Sequence, residues 1–513
     1  MAEITRSSRL FVMKEVTEGV GVLPDAADKA VVLQDGFSLS GEFTKLENAE
    51  LKGSIGKAKP VLGLETSKFS FSHYLVASGS EGDAPEYNYL IESCMGLETL
   101  YVAQQNTAAG STAGNATTRA LIQLVSNTGH FYGSAIMIKD LTNGYSIRNV
   151  YELVATDVYL AQNLTVPAPA AGIQTGKFIN YSPQDSGHPS LSMSLYRSNG
   201  GDFELARGIK IEEMAIEFTA GEFINCSFTG SGIGYDFDPI EILSTDKWID
   251  FQTWDGVDLN SYQVELTEKI YKDPIELAAE IQAKMTAFTT PGLMYCEWIS
   301  SGVNAGKFKI SSGVAFVYFN LLWNTGTNAA NSAKYKLGYN DADDTSVTSS
   351  YSDNQLSWAS PYVPTYDNAQ PLVAKNIEIL LGNFNDLVCF EAQKFSVSIK
   401  NTKTNIPSAC AESGVSGSLM SAREVTGTIE ATLTKHDVDK FYRFRSGQET
   451  MITVNAGSKT SGNWNPGKCV NIWIAKCTLD TFVVQDSNGI VTISIDFSGY
   501  VENSQGEIFI NFL

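Results

Sequence analysis

Two stretches of this chain, far apart in sequence, follow the same pattern. Residues 209–230 read IKIEEMAIEFTAGEFINCSFTG, and residues 477–499 read CTLDTFVVQDSNGIVTISIDFSG. Each stretch alternates apolar and polar residues on both sides of a glycine, Gly221 or Gly489, where a turn with positive φ costs little. Each ends in Phe-x-Gly, at Phe228 and Phe497. The pattern predicts a β hairpin in each stretch.

The segments upstream of the two hairpins also correspond. Residues 37–40 (FSLS) match residues 395–398 (FSVS). Each match is followed by a polar, glycine-containing segment of roughly 25 residues and then by an alternating strand. These strands cover residues 68–74 and 427–433, and helical candidates follow at residues 83–95 and 436–445. The shared order of four elements predicts an internal duplication. The alternative is that any β protein contains strand–turn–strand segments that look alike.

The composition favours a β-rich protein with several domains. The chain has 513 residues, of which 43% are hydrophobic and only 18% are charged. Its length exceeds that of one ordinary core, and its many Gly, Ser, Thr and Asn residues suit strands and turns better than helices. We therefore predict a mainly β fold with two duplicated β domains.

A third region, residues 239–370, predicts a compact α+β module inserted between the two copies. Asp273 is placed to cap a helix, Pro274 suits its first turn and Glu276 completes a capping box. Leu277, Ala278, Ile281 and Met285 then form one apolar stripe. The predicted division is a first β domain at residues 1–238, with peripheral β elaboration at about 100–180, the module at 239–370 and a second β domain at 371–513.

The charge excludes some partners. The net charge is −21 and the pI about 4.7, so a nucleic-acid clamp and a membrane-surface protein are disfavoured. Acidity that only maintains solubility, and a surface that DNA passes without sticking, both remain open. Residues 1–10 contain no signal-peptide pattern, and no apolar run reaches the length of a membrane span. The seven scattered cysteines predict free buried thiols in a reducing cytoplasm.

The residues that carry common enzyme chemistry are absent or isolated. The four histidines are far apart, and the GxSxG, P-loop and HExxH motifs do not occur. Asp341, Asp343 and Asp344 are close enough to suggest Ca²⁺, but their spacing lacks the Gly and Glu of an EF-hand, which favours a solvated acidic turn. The tryptophans could line a sugar groove, although buried packing is the commoner role. We expect no enzyme activity, no metal and no cofactor.

The order of elements resembles a known family. The opening LQDGFSLSGEFTKLENAELKGSIGKAKPVLGLETSKFSFSHYLVASGSEGDAPEYNYLIESCMG (residues 33–96) is similar to the start of tail tube proteins of long-tailed bacteriophages. Residues 191–232, with the pairs Arg207-Gly208 and Ala220-Gly221, resemble the second sheet of the same proteins. The module at 239–370 is similar to a module inserted in various phage virion proteins. The great length, residues 100–180 and the inserted module depart from the family.

The resemblance implies that each of the two duplicated domains is a β-sandwich of two packed antiparallel sheets. It also implies a ring in which one sheet of each copy joins an inner β-barrel. In this family the long loop after the first strand reaches a neighbour, which implies that residues 46–64 and 402–425 do so here. The candidate ring and stacking contacts in these two loops are Glu50, Lys52, Lys57, Lys59, Glu412, Arg423 and Glu424. Single-copy members form six-fold rings, so a duplicated chain implies a homotrimer with pseudo-six-fold symmetry. A hexamer is expected if the repeat is illusory.

The resemblance also implies the function. Stacked rings would form the phage tail tube, a negatively lined conduit for DNA ejection into the host. Expected partners are further copies of the chain, a tape-measure protein, tail tip and terminator proteins, and phage DNA in transit without specific binding. The expected location is the virion, after assembly in the host cytoplasm. The alternative is a host-surface-binding tail adhesin or fibre protein that uses the module at 239–370. A polysaccharide-degrading enzyme would need clustered carboxylates, for which the sequence gives no support.

Overall fold

The structure, a computed structural model, describes most of the chain. The described residues are 8–25, 28–48, 59–115, 117–168, 174–197, 202–289, 293–356, 366, 369–383, 386–411, 413–433, 438–487, 489–501 and 507–513. Strands dominate and helices are few, so the predicted mainly β class is confirmed.

The helices and strands fall into three consecutive groups along the chain. The first group is β1 (Arg9–Lys14), β2 (Ser38–Leu46), β3 (Val61–Tyr74), α1 (Asn88–Met95), β4 (Gly96–Tyr101), β5 (Leu121–Gln123), β6 (Ala135–Asp140), β7 (Gly144–Val154), β8 (Asp157–Leu160), β9 (Gln174–Thr175), β10 (Phe178–Pro183), β11 (Leu191–Tyr196), β12 (Phe203–Thr219), β13 (Asn225–Gly232) and β14 (Gly234–Phe237).

The second group is β15 (Ile240–Ile242), β16 (Trp248–Trp254), β17 (Leu259–Glu265), β18 (Lys269–Tyr271), α2 (Pro274–Phe288), β19 (Met294–Ile299), β20 (Lys307–Ser312), β21 (Tyr318–Leu321), β22 (Asp344–Val347) and β23 (Ser349–Tyr351). The third is β24 (Glu378–Asn383), β25 (Asp386–Cys389), β26 (Ala392–Pro407), β27 (Val415–Thr432), α3 (Val438–Ser446), β28 (Thr450–Thr460), β29 (Asn463–Leu479), β30 (Val483–Ser487), β31 (Ile490–Gly499) and β32 (Phe509–Phe512).

The chain forms two compact units. The smaller comprises Met1–Leu10, Met193–Ala206 and Tyr235–Val363. The larger comprises Phe11–Ser192, Arg207–Gly234 and Pro364–Leu513, and it contains strands from both predicted β domains. The predicted three-part division of the chain stays a prediction.

The larger unit contains a first sheet of eight antiparallel strands. Successive pairings give the order β2-β3-β13-β12-β26-β27-β31-β30, and the end of β29 also pairs with β31. Apolar and polar residues alternate along these strands, so one face is buried. The order of pairing in the first four strands recurs in the last four.

A second antiparallel sheet of the same unit has the order β4-β10-β32-β29-β28-β24-β25. A row of asparagines crosses its middle, because Asn180, Asn511, Asn471 and Asn455 lie opposite one another on adjacent strands. Their side chains are buried and hydrogen-bonded in sequence, at 2.8 Å (Asn180 to Asn511), 3.0 Å (Asn511 to Asn471) and 2.7 Å (Asn471 to Asn455). A shift of register between any two of these strands would break the row, because the asparagines would no longer lie opposite one another.

The predicted elaboration near residues 100–180 is a five-stranded sheet of order β5-β8-β7-β6-β9. It packs on the second sheet, where Asn149 of β7 donates a 2.7 Å hydrogen bond to Asn471. Met137 and Ile147 share an apolar cluster with Phe178 and Trp464 at this contact.

The smaller unit contains the predicted α+β module with its own core. Helix α2 buries the predicted stripe of Leu277, Ala278, Ile281 and Met285 against Phe251, Phe308 and Trp323. Asp273 caps the helix by accepting a 2.8 Å hydrogen bond from the Glu276 N–H. The predicted capping box is wrong in its second half, because the Glu276 carboxylate accepts from the Lys272 N–H instead.

The two long hairpins of the first sheet differ in part from the predicted loops. Residues 46–64, which the resemblance makes a long loop, include the ends of strands β2 and β3, which pair as a hairpin; residues 49–58 are outside the described part of the chain. The predicted loop at 402–425 is wrong over most of its length, because β26 extends through it to Pro407 and β27 begins at Val415. The pairing of Lys403 with Met420 and of Asn405 with Ser418 continues the ladder in this hairpin.

The alignment of the two hairpins by their Phe-x-Gly ends is wrong by two residues. Phe71 lies opposite Phe228 in the first half, and the corresponding Ile429 lies opposite Ile495 in the second. Phe228 therefore corresponds to Ile495, and Phe497 corresponds to Gly230. Strand pairing, and not sequence identity, sets the correspondence.

The cysteines are free, as predicted, but two of them are not buried. Cys94, Cys226, Cys296, Cys469 and Cys477 are buried, whereas Cys389 and Cys410 are exposed. Burial raises the pKa of the Cys94 thiol to about 12, so it stays protonated. In the part of the chain that the structure describes, no helix has the length and apolar character that a membrane span requires.

Candidate assembly surfaces

The first sheet contains a junction between its two groups of four strands, at the pairing of β12 with β26. Ile216 lies opposite Val397, and Phe218 lies opposite Phe395 with ring centroids 5.6 Å apart. All four side chains are at most 2% exposed. The junction is therefore sealed by apolar side chains on its core face.

The hairpin β26–β27 extends past this junction and contacts the group formed by the first four strands of the sheet (β2, β3, β13 and β12) and the neighbouring helix α1. Asn401 donates a 2.9 Å hydrogen bond to the carbonyl of Cys94, at the end of α1. Lys403 donates from Nζ to the carbonyl of Ser231 on β13 and, at 3.2 Å, to its hydroxyl. We call residues 401–407 and 415–423 the second arm. It holds the first group of strands with buried polar contacts.

The contact beneath the second arm is highly charged. Lys210 makes a 2.9 Å ion pair with Glu18, and the Ser418 carbonyl accepts from the same Nζ. Burial lowers the pKa of Lys403 to about 8, while nearby Glu212 and Glu18 oppose that lowering. A buried lysine of this kind is sensitive to loss of its hydrogen-bond acceptors.

The two outer strands of the first sheet have open edges. Among the described residues, β2 is paired with β3 alone and β30 with β31 alone. Val483 is 49% exposed and Val484 53%, although the corresponding positions at the internal junction are largely or fully covered. Open edges that carry apolar side chains are templates for pairing with another strand.

The first arm, residues 43–46 and 61–64 of hairpin β2–β3, is also largely exposed, although the adjoining Glu65 N–H donates to the Ser413 carbonyl at 3.3 Å. Its apolar side chains Phe43, Leu46, Val61 and Leu62 are 50–62% exposed. Contiguous exposed apolar residues on a strand hairpin indicate a surface that a partner covers.

The face of the first sheet opposite the core is polar. Small side chains form one row across five adjacent strands, at Ser72, Ser227, Ala215, Ser398 and Thr426, and no aromatic side chain interrupts that row. The charged side chains on this face of the described strands are Glu42, Lys68, Glu213, Glu217, Lys394, Lys400, Glu424, Glu430 and Asp496. Carboxylates outnumber lysines, so the face is mildly acidic.

The predicted contact residues are placed as follows. Glu50, Lys52, Lys57 and Glu412 lie outside the described residues. Lys59 is exposed beside the first arm. Arg423 pairs with Glu507 at 3.4 Å and donates to the Gln184 carbonyl, so its partners lie within the chain. Glu424 lies opposite Lys400 on the polar face. The role of this set in ring and stacking contacts stays a prediction.

The acidic cluster of the smaller unit is held by neighbouring side chains. Asp341 pairs with Lys334 at 2.5 Å, and Asp343 accepts from the Asn324 N–H at 2.7 Å. Burial raises the pKa of Asp343, but hydrogen bonds from the Thr325 hydroxyl and from the N–H groups of Asn324 and Thr325 outweigh burial, so that the pKa is lowered. The pKa of Asp341 is lowered chiefly by its hydrogen bond from Lys334. Within the described residues, no group of three or more His, Cys, Asp or Glu side chains could hold a metal ion.

Comparisons with known proteins give distant likenesses only. Neither a protein-family model nor a curated protein matches this chain. The virion of a native gene transfer agent particle contains a chain 11% identical to this one, with a TM-score of 0.19, over 24% of this chain and 92% of that chain. The tail tube of SPP1 matches at 11% identity and a TM-score of 0.19, over 25% of this chain and 75% of that chain. Likenesses at this TM-score establish neither the fold nor the function.

Proposed function

We propose that this chain is a self-assembling structural subunit of a phage virion, whose rings stack into the tail tube. The observation that carries the proposal is the pair of open edges on the first sheet. The internal junction shows how a β12-type edge accepts a β26-type edge with its apolar residues covered. The outer edges, β2 and β30, present the same two kinds of strand without a partner among the described residues.

Repetition of the internal junction between chains leads to closure. Each chain supplies two groups of four strands with the same pairing order, which supports an internal duplication. If neighbouring chains join as β12 and β26 do within the chain, the β30 edge of each chain contacts the β2 edge of the next. Such a head-to-tail contact repeats until the ring closes. In the family that the sequence resembles, a ring holds six groups, so three chains would complete it. Closure removes both open edges.

The polar face would line the bore of such a ring. The core face is covered within the chain, which leaves the serine and threonine hydroxyls and the mildly acidic charges for the inside. A surface without a lysine-rich patch does not retain the DNA backbone, because phosphate contacts from basic residues supply most non-specific affinity. Passage of DNA during ejection is the use that this lining suits.

The test is assembly of the purified full chain at high concentration. We expect negative-stain images of hollow rings or tubes, and light scattering should give three chains per ring. Val484→Asp, which places a charge in the open edge, should prevent assembly. Val154→Asp changes a half-exposed valine of β7 in the peripheral sheet and should assemble as the unchanged chain does.

The alternative outcomes are informative. Rings of six chains would keep the tube and exclude the trimer. Solid particles or monomers without a bore, at every concentration and with both variants alike, would contradict the proposal. That result would favour the tail adhesin or fibre protein.

A further inference from the structure

The pairing at the internal junction of β12 with β26 predicts, residue by residue, how β30 would pair with β2 of another chain. Ser38 lies opposite Ser70 in hairpin β2–β3, and Ser396 lies opposite Thr428 in hairpin β26–β27. Ser40 of β2 therefore corresponds to Ser398 of β26, two residues further along each strand. The correspondence continues into the arms, where Phe43 matches Asn401 and Lys45 matches Lys403.

The other side of the junction transfers in the same way. Ala215 of β12 lies opposite Ser227, and Val483 of β30 lies opposite Ser494. Because Phe228 corresponds to Ile495, Ser227 corresponds to Ser494, and hence Ala215 corresponds to Val483. The internal pair of Ala215 with Ser398 thus predicts its counterpart between chains.

We propose that β30 of one copy pairs antiparallel with β2 of the next, with Val483 opposite Ser40 and Val484 opposite Leu39. The occupant of each open edge is thus a second copy of this chain, in one register. This inference rests on the proposed function and specifies the contact that it requires.

The first arm then covers the second group of strands of the neighbouring copy. Within the chain, Lys403 of the second arm donates to the Ser231 carbonyl. Ser231 lies opposite Lys68 and Ser498 lies opposite Thr426, so these two serines correspond. Lys45, which is exposed in the single chain, donates to the Ser498 carbonyl of the next copy.

The exposure of the first arm supports this contact. Its side chains Phe43, Leu46, Val61 and Leu62 are half exposed or more in the single chain. Covering them by the next copy removes apolar surface from water at about 25 cal/mol per Å². The second arm, which already has its binding surface within the chain, buries Asn401 and the Lys403 stem instead.

The experiment is disulfide trapping in the full chain, after Cys389→Ser and Cys410→Ser have removed the two exposed thiols. Val483→Cys with Ser40→Cys should yield covalent dimers and trimers under mild oxidation. Directly opposed residues of antiparallel strands have Cα atoms about 4.5–5.5 Å apart, within disulfide range. The matched control is Val483→Cys with Ser38→Cys, on the same face but about 7 Å further along the strand, and it should stay monomeric.

Three further variants complete the design. Ala215→Cys with Ser398→Cys lies at the internal junction, so it should form the disulfide within a chain and show that the chemistry works. Lys45→Met should raise the concentration for half-maximal trapping about tenfold, because a charged hydrogen bond is lost. Lys468→Met, at another exposed lysine, should leave that concentration unchanged.

The outcomes separate the two proposals. Rings in negative stain with trapping only in the Ser38 pair would overturn the register and keep the tube. Rings with no trapping in either pair would overturn the β30–β2 contact. Absence of both rings and trapping, with the internal pair oxidised normally, would overturn the contact together with the proposed function.

Discussion

Gly427 of β27 lies directly opposite Phe497 of β31, and a methyl group added to Gly427 would lie 2.3 Å from Cζ of that ring. In the first half of the sheet the large and the small residue are exchanged, because Phe69, which corresponds to Gly427, lies opposite Gly230, which corresponds to Phe497. One aromatic ring therefore fills each site, but it comes from opposite strands. The total volume at the site is kept while the residue at each position changes.

Gly427→Ala should lower the free energy of unfolding of the larger unit by about 2 kcal/mol, because the methyl group overlaps the Phe497 ring and the Ser396 carbonyl. Thermal unfolding followed by circular dichroism measures the effect. In a Phe497→Leu background the cost of Gly427→Ala should fall by on the order of 1 kcal/mol. Equal costs in the two backgrounds would show that the ring does not limit the space at Gly427.

The same site shows which parts of the fold a single sequence could predict. The period of alternation, the turn glycines and the capped helix α2 are local, and the structure has these elements. The correspondence of Phe228 with Phe497 was wrong because identical letters were aligned, while an exchange of Phe and Gly across a strand pair leaves no local trace. The pairing of β12 with β26 joins residues far apart in sequence, and no local pattern reports it.

The contact residues predicted from the sequence and the proposed edges do not coincide. The sequence predicts contacts at charged residues of two loops, which stay a prediction, whereas the proposed contact uses Val483 and Val484 beside a hairpin turn. Two adjacent apolar residues in a hairpin strand place one apolar side chain on each face of the sheet. This pattern indicates an edge strand that a partner covers. Which edge is open depends on the whole sheet and could not be derived from sequence.

Asn471→Leu should destabilise the larger unit by at least about 3 kcal/mol, because it leaves the buried amides of Asn149, Asn455 and Asn511 without a partner they now have. Urea denaturation followed by tryptophan fluorescence is the measurement, since Trp473 lies on the same strand. Asn324→Leu is the control, because only the backbone N–H of Asn324 is held, by Asp343. A loss no larger than that of the control would mean that the asparagine row does not contribute to stability.

His130 should make the larger unit sensitive to acid. Its ring stacks on Phe178 at 5.5 Å and lies 4.9 Å from Tyr101, and burial lowers its pKa to about 4. The unfolded chain binds a proton near the usual pKa of about 6.5 while the folded chain does not, so stability falls as the pH drops from about 6.5 to about 4. The loss over this range should be roughly 3 kcal/mol.

His130→Phe keeps an aromatic ring at this position and removes the titration. Denaturation midpoints measured from pH 7 to pH 4 should therefore fall less steeply for this variant than for the unchanged chain. His188→Phe is a poor comparison, because its ring bonds two backbone carbonyls, at Ser93 and Gln184. Parallel curves for His130→Phe and the unchanged chain would show that His130 is protonated without cost in the folded state.

Lys403 should make the stability of the larger unit depend on pH in the alkaline range. Burial lowers its pKa from the usual 10.5 to about 8, so between these values the unfolded chain holds a proton that the folded chain has lost. Its contribution to stability therefore rises as the pH increases from about 8 to about 10.5, and the charged form is a cost below that range. Lys403→Met should remove this rise. Lys400→Met, at an exposed lysine that pairs with Glu213 at 3.4 Å, should retain it. An equal rise in the unchanged chain and in Lys403→Met would place its origin elsewhere in the chain.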